Sequence, residues 1–424
     1  MKLKSLQSVK KFYFLEYFYV LLKSVEKHSD KNQIFNSFKI LKQKYQLGES
    51  KYKRLFTDNE NLSRPKINRY QYTLNQVIDE SKEYNLIEEN KSGEIFLTKE
   101  GQKLLFQFQD KGLMEFNHSL LKLMESKYNA FRYLINFLYN ANRHRPGLVI
   151  IPNYSPRLLD FERSEIQTTG DFLKYSKALV NKLENDIKNF LGQHRNLKKE
   201  NEKLVQKLIE SELIPKSPNE QFTPKNFYVI TKRFRDFWIN YFLKEIYQFE
   251  FSMSSFDIWT YRGKRIGIIQ ATEFYPNFHG RIVYPTSVII KETRSRDFQK
   301  LYEYADGNCL YMHNPNYEIN QEKFVDTLVK AYFDLRRSNT SYFINLSALR
   351  ELVCYNMKIS DSIFQFYLEN IYKLKYSGEL KIRISLEVDK LPEETKAIYL
   401  KREPVMVDGK YRNIIAIDVT KGDD

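Results

Sequence analysis

Lys51, Lys53 and Arg54 stand just ahead of a run that holds Arg64, Lys66, Asn68 and Arg69. Ammonium and guanidinium groups pair with phosphate oxygens. A guanidinium can also grip the O6 and N7 edge of guanine through two parallel bonds, and a carboxamide does the same for adenine. Contacts of the first kind set position and register; those of the second read sequence. Lys91 lies in a polar turn downstream, and Arg262, Lys264 and Arg265 surround Gly263. A second chemistry is metal-assisted phosphodiester cleavage, which needs a carboxylate at one strand end and an acid-x-Lys on the next strand. Asp257 followed by Gln270-Ala271-Thr272-Glu273 has that layout. Gln270 and Thr272 stand where the second acid and the lysine belong, which leaves Asp257 and Glu273 as the catalytic candidates. The plainer alternative has Asp257 capping a turn and Glu273 facing solvent.

Other chemistries lack their residues. The chain has 14 glycines and neither a Walker A nor a GxGxxG pattern, so phosphate cradling by a Gly-rich loop is not expected. Its histidines (His28, His118, His144, His194, His279 and His313) show no HxH, HxxxH or HExxH spacing. With only Cys309 and Cys354, neither a zinc site nor a disulfide framework is expected. No cofactor and no metal follow from these residues.

The elements that must position the basic groups are legible around residues 31–110. Asn32–Tyr45 and a short Lys51–Thr57 segment read as helices, followed by a long amphipathic helix over Leu62–Tyr84. Pro65 falls in the first turn of that helix, where no intrahelical N–H bond is lost. Leu86–Leu105, LIEENKSGEIFLTKEGQKLL, holds two short apolar runs around a polar turn with Gly93, which is a hairpin signal. A Thr-Lys-Glu-Gly step then opens a new helix. In its order of helix, hairpin and helix, this segment resembles the winged helix-turn-helix DNA-binding proteins. The resemblance implies that Arg64, Asn68 and Arg69 read base edges in the major groove, that Lys51, Lys53 and Arg54 hold phosphates, and that Lys91 reaches the flanking backbone.

Beyond that segment the sequence predicts an α+β protein, predominantly helical, with multiple winged-helix units joined by a long helical stem. Residues 1–30 form an aromatic lead helix, whose apolar stretch over 11–22 is interrupted by Glu16 and too short to span a bilayer. Residues 111–215 are helical, with Met114–Asn140 showing a helical period. Thr168–Leu213 reads as one helix of roughly 65 Å at 1.5 Å per residue. In it Leu179, Leu183, Phe190, Leu197, Leu204 and Leu208 keep near-heptad spacing around His194 and Asn201. This is either a coiled-coil dimer stem or an intramolecular hairpin packing on Met114–Asn140. In 222–300 a helix, Asn226–Tyr247, is followed by a predicted β-hairpin turning at Arg262-Gly263-Lys264, a possible second winged unit. In that helix Phe234, Trp238 and Phe242 share a core face, while Lys232, Arg233 and Arg235 are candidates for backbone contacts. Residues 301–342 form a helical connector, and 343–424 again resemble a winged helix, with two helices followed by strands KIRISLEVD and YRNIIAIDV.

Charge is unevenly spread. The chain carries a net +15, with 29% charged residues; mean hydropathy is −0.57. Residues 1–54 hold 13 Lys and Arg against four acids, and 31–69 run at +7, whereas 70–106 come to −3. Such a gradient within one small domain offers one face to phosphates. Residues 343–424 carry 13 basic and 13 acidic side chains, a balance that fits protein docking better than DNA contact. The expectation is therefore a cytoplasmic, membrane-free protein that binds double-stranded DNA. It would have a protein partner or self-associate through 168–213 or 343–424. In layout it is similar to accessory or specificity subunits of prokaryotic genome-maintenance and defence assemblies. A scaffold subunit and a Mg-dependent endonuclease with a divergent metal site are the alternatives.

Overall fold

The computed structural model describes residues 10, 12, 14–44, 64–111, 116, 119–124, 130–152, 166–221, 224–272, 280–287, 320–337, 341–374, 382–388 and 405–419. These are mostly helical, with small sheets, and among them no helix is long and apolar enough to cross a membrane. The chain divides into two units. Met1–Leu134, Ser254–Gln270 and Pro285–Asp424 form the first; Ile135–Met253 and Ala271–Tyr284 form the second.

The first unit begins with α1, Glu16–Val25, buried along nearly its whole length. That accounts for its aromatic composition, and Glu16 is tolerated there because Arg265 pairs with it. Asp30 caps α2, Lys31–Lys44, by accepting from the Asn32 and Gln33 amides at 3.0 Å each. The long amphipathic helix is α3, Arg64–Glu83, with Tyr70, Leu74, Val77 and Ile78 turned inward. Lys42 lies over the Tyr70 ring, 3.7 Å from its centre, so α2 and α3 are joined by a buried cation–π contact. Asn85 ends α3 at φ 56°. Strands β1, Ile87–Glu89, and β2, Ile95–Leu97, pair antiparallel with Glu88 opposite Phe96. Their turn is built by Asn90, whose Oδ1 accepts from the Ser92 and Glu94 amides, and by Gly93 at φ 83°. Thr98 then caps α4, Lys99–Lys111, accepting from the Gly101 amide at 3.1 Å.

The second unit starts within α5, Ala130–Asn140, and continues through β3, Val149–Pro152. The single long helix expected over 168–213 is not formed. A capping box between Thr168 and Asp171 starts α6, Thr169–Asp186. After a π-helical turn at Ile187–Leu191, Gly192 takes φ 63° and the chain reverses into α7, Lys198–Glu210. Glu184 accepts from the Leu197 amide at 2.7 Å, Ser176 donates to Asn201 at 2.7 Å, and Thr169 donates to the Pro215 carbonyl at 3.1 Å. These contacts make an antiparallel hairpin. Leu179, Leu183, Leu197, Leu204 and Leu208 are buried within it and its unit. Of the two arrangements the leucine spacing allows, the chain takes the intramolecular hairpin rather than one continuous stem: the heptad-like leucines lie in its core, and Asn201 accepts from Ser176.

Along α8, Pro224–Tyr241, and the π-helical turn Phe242–Ile246 that continues it, the expected core face of Phe234, Trp238 and Phe242 is buried. Lys232 and Arg233 are exposed, while Arg235 pairs with Asp236 at 3.2 Å. Tyr247, whose hydroxyl proton burial makes harder to lose, accepts from the Ile150 amide and donates to the Ile150 carbonyl, clamping β3 from the side.

Residues 253–270 depart from the predicted hairpin. Met253–Ile266 is a helix, α9, and Arg262, Gly263 and Lys264 form its last turns rather than a β-turn. Phe256, Ile258, Trp259, Thr260, Arg262, Gly263 and Ile266 are all buried, while Ser254, Asp257, Tyr261, Lys264 and Arg265 are half-buried, so a threonine, an arginine and a glycine on the buried side mask the helical period. A Cβ on Gly263 would come within 2.5 Å of the Ile269 side chain, so only glycine fits. Strand β4, Ile269–Thr272, follows and, with β5, Gly280–Pro285, belongs to a sheet of order β3-β5-β4. No winged arrangement is made by 251–272.

The last part of the first unit runs α10, Gln321–Arg337; β6, Ile344–Asn345; α11, Leu346–Met357; α12, Asp361–Leu374; and β7, Ile382–Glu387. It ends with the small hairpin β8, Val405–Val407, and β9, Lys410–Arg412, and with β10, Ile414–Val419. The strands form an antiparallel sheet of order β6-β10-β7, with Ile417 opposite Ile384. Strict alternation in β7 turns Ile382, Ile384 and Leu386 inward.

Candidate nucleic-acid interface

Asn68 and Arg69 are both exposed on α3, and Lys91 is exposed in the β1–β2 turn. Arg64 and Lys66 belong to the first turn of the same helix. Lys51, Lys53 and Arg54 lie outside the described residues. The fold therefore carries one exposed basic and carboxamide group near the start of α3, and one basic group at the hairpin tip.

Glu89 holds the hairpin against both neighbouring helices. Lys31 of α2 reaches its Oε1 at 2.5 Å, and Lys82 of α3 pairs with its Oε2. The Lys31 hydrogen bond, followed by that of Lys82, pulls the Glu89 carboxyl down to about 2. The sign of the pH dependence follows: the folded state favours the carboxylate, so this clamp stabilises fully above about 4.3, the ordinary glutamate value. It is lost as pH falls from there towards 2. Glu89→Gln is expected to lower the urea midpoint at pH 6 and to match the unaltered protein near pH 2, as a midpoint series across that interval would record. A second anchor is the Ile95 amide, which donates to the Ser29 carbonyl at 2.9 Å and ties β2 to the entry of α2.

The basic cluster around Gly263 has a different fate. Arg262 is 1% exposed and makes a two-pronged pair with Glu80, at 2.8 and 3.0 Å. Its Nη2 also donates to the Phe12 carbonyl at 3.2 Å, and its guanidinium lies over the Phe12 ring. Lys264 pairs with Asp361 at 3.3 Å, and Arg265 pairs with Glu16. Assignment of Arg262, Lys264 and Arg265 to a phosphate-binding finger is corrected on this geometry. Arg262 is inaccessible, and the other two charges are engaged by carboxylates within the unit.

Asp257 sits on α9, half-buried, rather than at a strand end, so the strand-turn-strand layout of a metal nuclease is absent there. Glu273 lies outside the described residues. Gln270 donates to Asp361 at 2.5 Å, alongside Lys264, and Arg350 approaches the same carboxylate at 3.4 Å. Burial pushes the Asp361 carboxyl up, but Arg350, Lys264 and the Gln270 amide outweigh it and bring it to about 2. This is a cross-brace between β4, α9, α11 and α12. Among the described residues no group of three or more His, Cys, Asp or Glu is placed to hold a metal.

Three exposed side chains on α3 escape a reading that looks first for charge: Gln71, Tyr72 and Asn75. Their signal was the spacing of uncharged polar groups at i+3, i+4 and i+7 from Asn68. Comparison with known protein families, curated proteins and solved structures finds no match to the chain.

Proposed function

We propose that the chain is a double-stranded-DNA-binding protein that engages duplex through residues 31–110 acting as a winged helix. The observation that supports this reading is the exposure of Asn68 and Arg69 near the start of α3, beside a hairpin that Glu89 anchors and Lys91 tips. The net +7 over 31–69 supplies the long-range attraction. In this role Arg69 and Arg64 read guanine edges, Asn68 reads adenine, and Lys91 contacts the backbone next to the groove. Binding should weaken steeply with salt, because each neutralised phosphate releases counterions. Fluorescence anisotropy on labelled duplexes across a salt series tests it. Arg69→Ala should cost about 1–3 kcal/mol of affinity and relax specificity. Absence of binding at low salt defeats the proposal, and cleaved DNA on a denaturing gel would restore the endonuclease alternative.

A second reading concerns residues 343–424, as a scaffold element of a larger assembly. The helix and strand order there, with its β6-β10-β7 sheet, also suits a winged helix. Its zero net charge and the 59% exposed Phe366 on α12 favour a protein partner over DNA.

A further inference from the structure

The outward face of α3 has a composition of its own. Asn68, Tyr72 and Asn75 follow one another at i, i+4 and i+7, flanked by Arg69 and Gln71, and all are exposed, Tyr72 by 53%. At 100° per residue these side chains occupy one continuous arc, opposite the buried Tyr70, Leu74 and Val77. Among the described residues no side-chain hydrogen bond engages Asn68, Gln71, Tyr72 or Asn75. The next exposed position of the stripe is Asp79, which Lys10 approaches at 3.8 Å. Over two turns, then, the face offers three carboxamides, one phenol ring and one guanidinium, with no acid.

Carboxamides recognise adenine by donating to N7 and accepting from the N6 amino group, and apolar or ring atoms pack on the thymine methyl. From this face we infer that α3 selects A·T pairs in the major groove, with Asn68, Gln71 and Asn75 reading adenines, Tyr72 contacting a thymine methyl and Arg69 reading one flanking guanine. The stripe from Asn68 to Asn75 spans about 10 Å at 1.5 Å per residue, which matches about three base pairs at 3.4 Å each. The inference rests on the DNA-binding reading above and adds the sequence class to it.

The test is selection of full-length protein against a pool of duplexes with a randomised centre, followed by sequencing and anisotropy on the winner. The expected outcome is a site with about three consecutive A·T pairs next to a G·C pair. Replacing its adenines with 7-deazaadenine, which lacks the N7 acceptor, should weaken binding about tenfold. Asn68→Ala and Asn75→Ala, both at exposed positions, should each relax the preference at one A·T pair and leave the salt slope unchanged. Salt-sensitive binding with no base preference overturns the inference while the DNA-binding reading stands. So does an A·T preference that 7-deazaadenine leaves intact, since it would come from the minor groove. No binding to any duplex in the pool overturns both.

Discussion

Glu80→Ala is expected to reduce the unfolding free energy by about 3–5 kcal/mol, because it strands a guanidinium in the core. Glu80 is fully buried and Arg262 is 1% exposed, so no water stands ready to solvate the orphaned charge. The Tyr84 hydroxyl, which donates to Glu80 at 2.7 Å, would lose its acceptor as well. Two backbone carbonyls, of Lys10 and Phe12, would remain around Arg262, and they do not neutralise it. A paired replacement discriminates the cause: Glu80→Leu with Arg262→Met removes both charges and should recover much of the loss. Urea unfolding followed by circular dichroism reads both variants. A Glu80→Ala cost below about 1 kcal/mol would mean that the pair matters little to the core.

Gly101→Ala should be the most damaging methyl addition near the proposed interface. A Cβ at Gly101 would lie 2.0 Å from the Leu86 carbonyl oxygen. That oxygen already accepts from the Thr98 amide at 3.1 Å, so α4 and the base of β1 are pinned on both sides of the clash. Relief requires shifting α4 away from the hairpin, with an expected loss of about 3 kcal/mol. The clash also presses on the base of β1 at Leu86, so the hairpin that carries Lys91 should shift as well and DNA affinity should drop even at temperatures where the variant is folded. Thermal unfolding together with anisotropy at 10 °C separates the two effects; a variant as stable as the parent would refute the close approach.

How far the sequence could be read depended on where its polar residues lie. The helix-hairpin-helix order of 64–111 was legible because the hairpin has a dedicated turn, Asn90 to Gly93, and α3 has a polar face. Residues 343–419 were readable for the same reason, since β7 alternates strictly. The hairpin expected at 262–264 failed because Arg262 and Gly263 lie on the buried side of α9; Arg-Gly-Lys imitates a turn when Arg262 is assumed to seek water. Its actual partner, Glu80, is 182 positions away, and no local pattern records it. In 168–213 the leucine spacing persists through the break at Gly192, because α6 and α7 bury their apolar sides in one core. Within the candidate interface, Asn68, Arg69 and Lys91 were proposed from residue type and the winged-helix resemblance, and the structure places all three at exposed positions. Tyr72 and Asn75 emerge only once α3 has an inside and an outside.

The Glu80–Arg262 pair also sets an order of events during synthesis. At about 5–20 residues per second, roughly 10–40 s separate the emergence of Glu80 from that of Arg262, with the whole of Ile135–Met253 translated between them. During that interval the nascent N-terminal segment holds a carboxylate whose cation does not yet exist, so its core is expected to close only after Arg262 has left the ribosome. A chain stalled before codon 262 should consequently remain protease-sensitive in its first hundred residues, however complete their own helices and hairpin are.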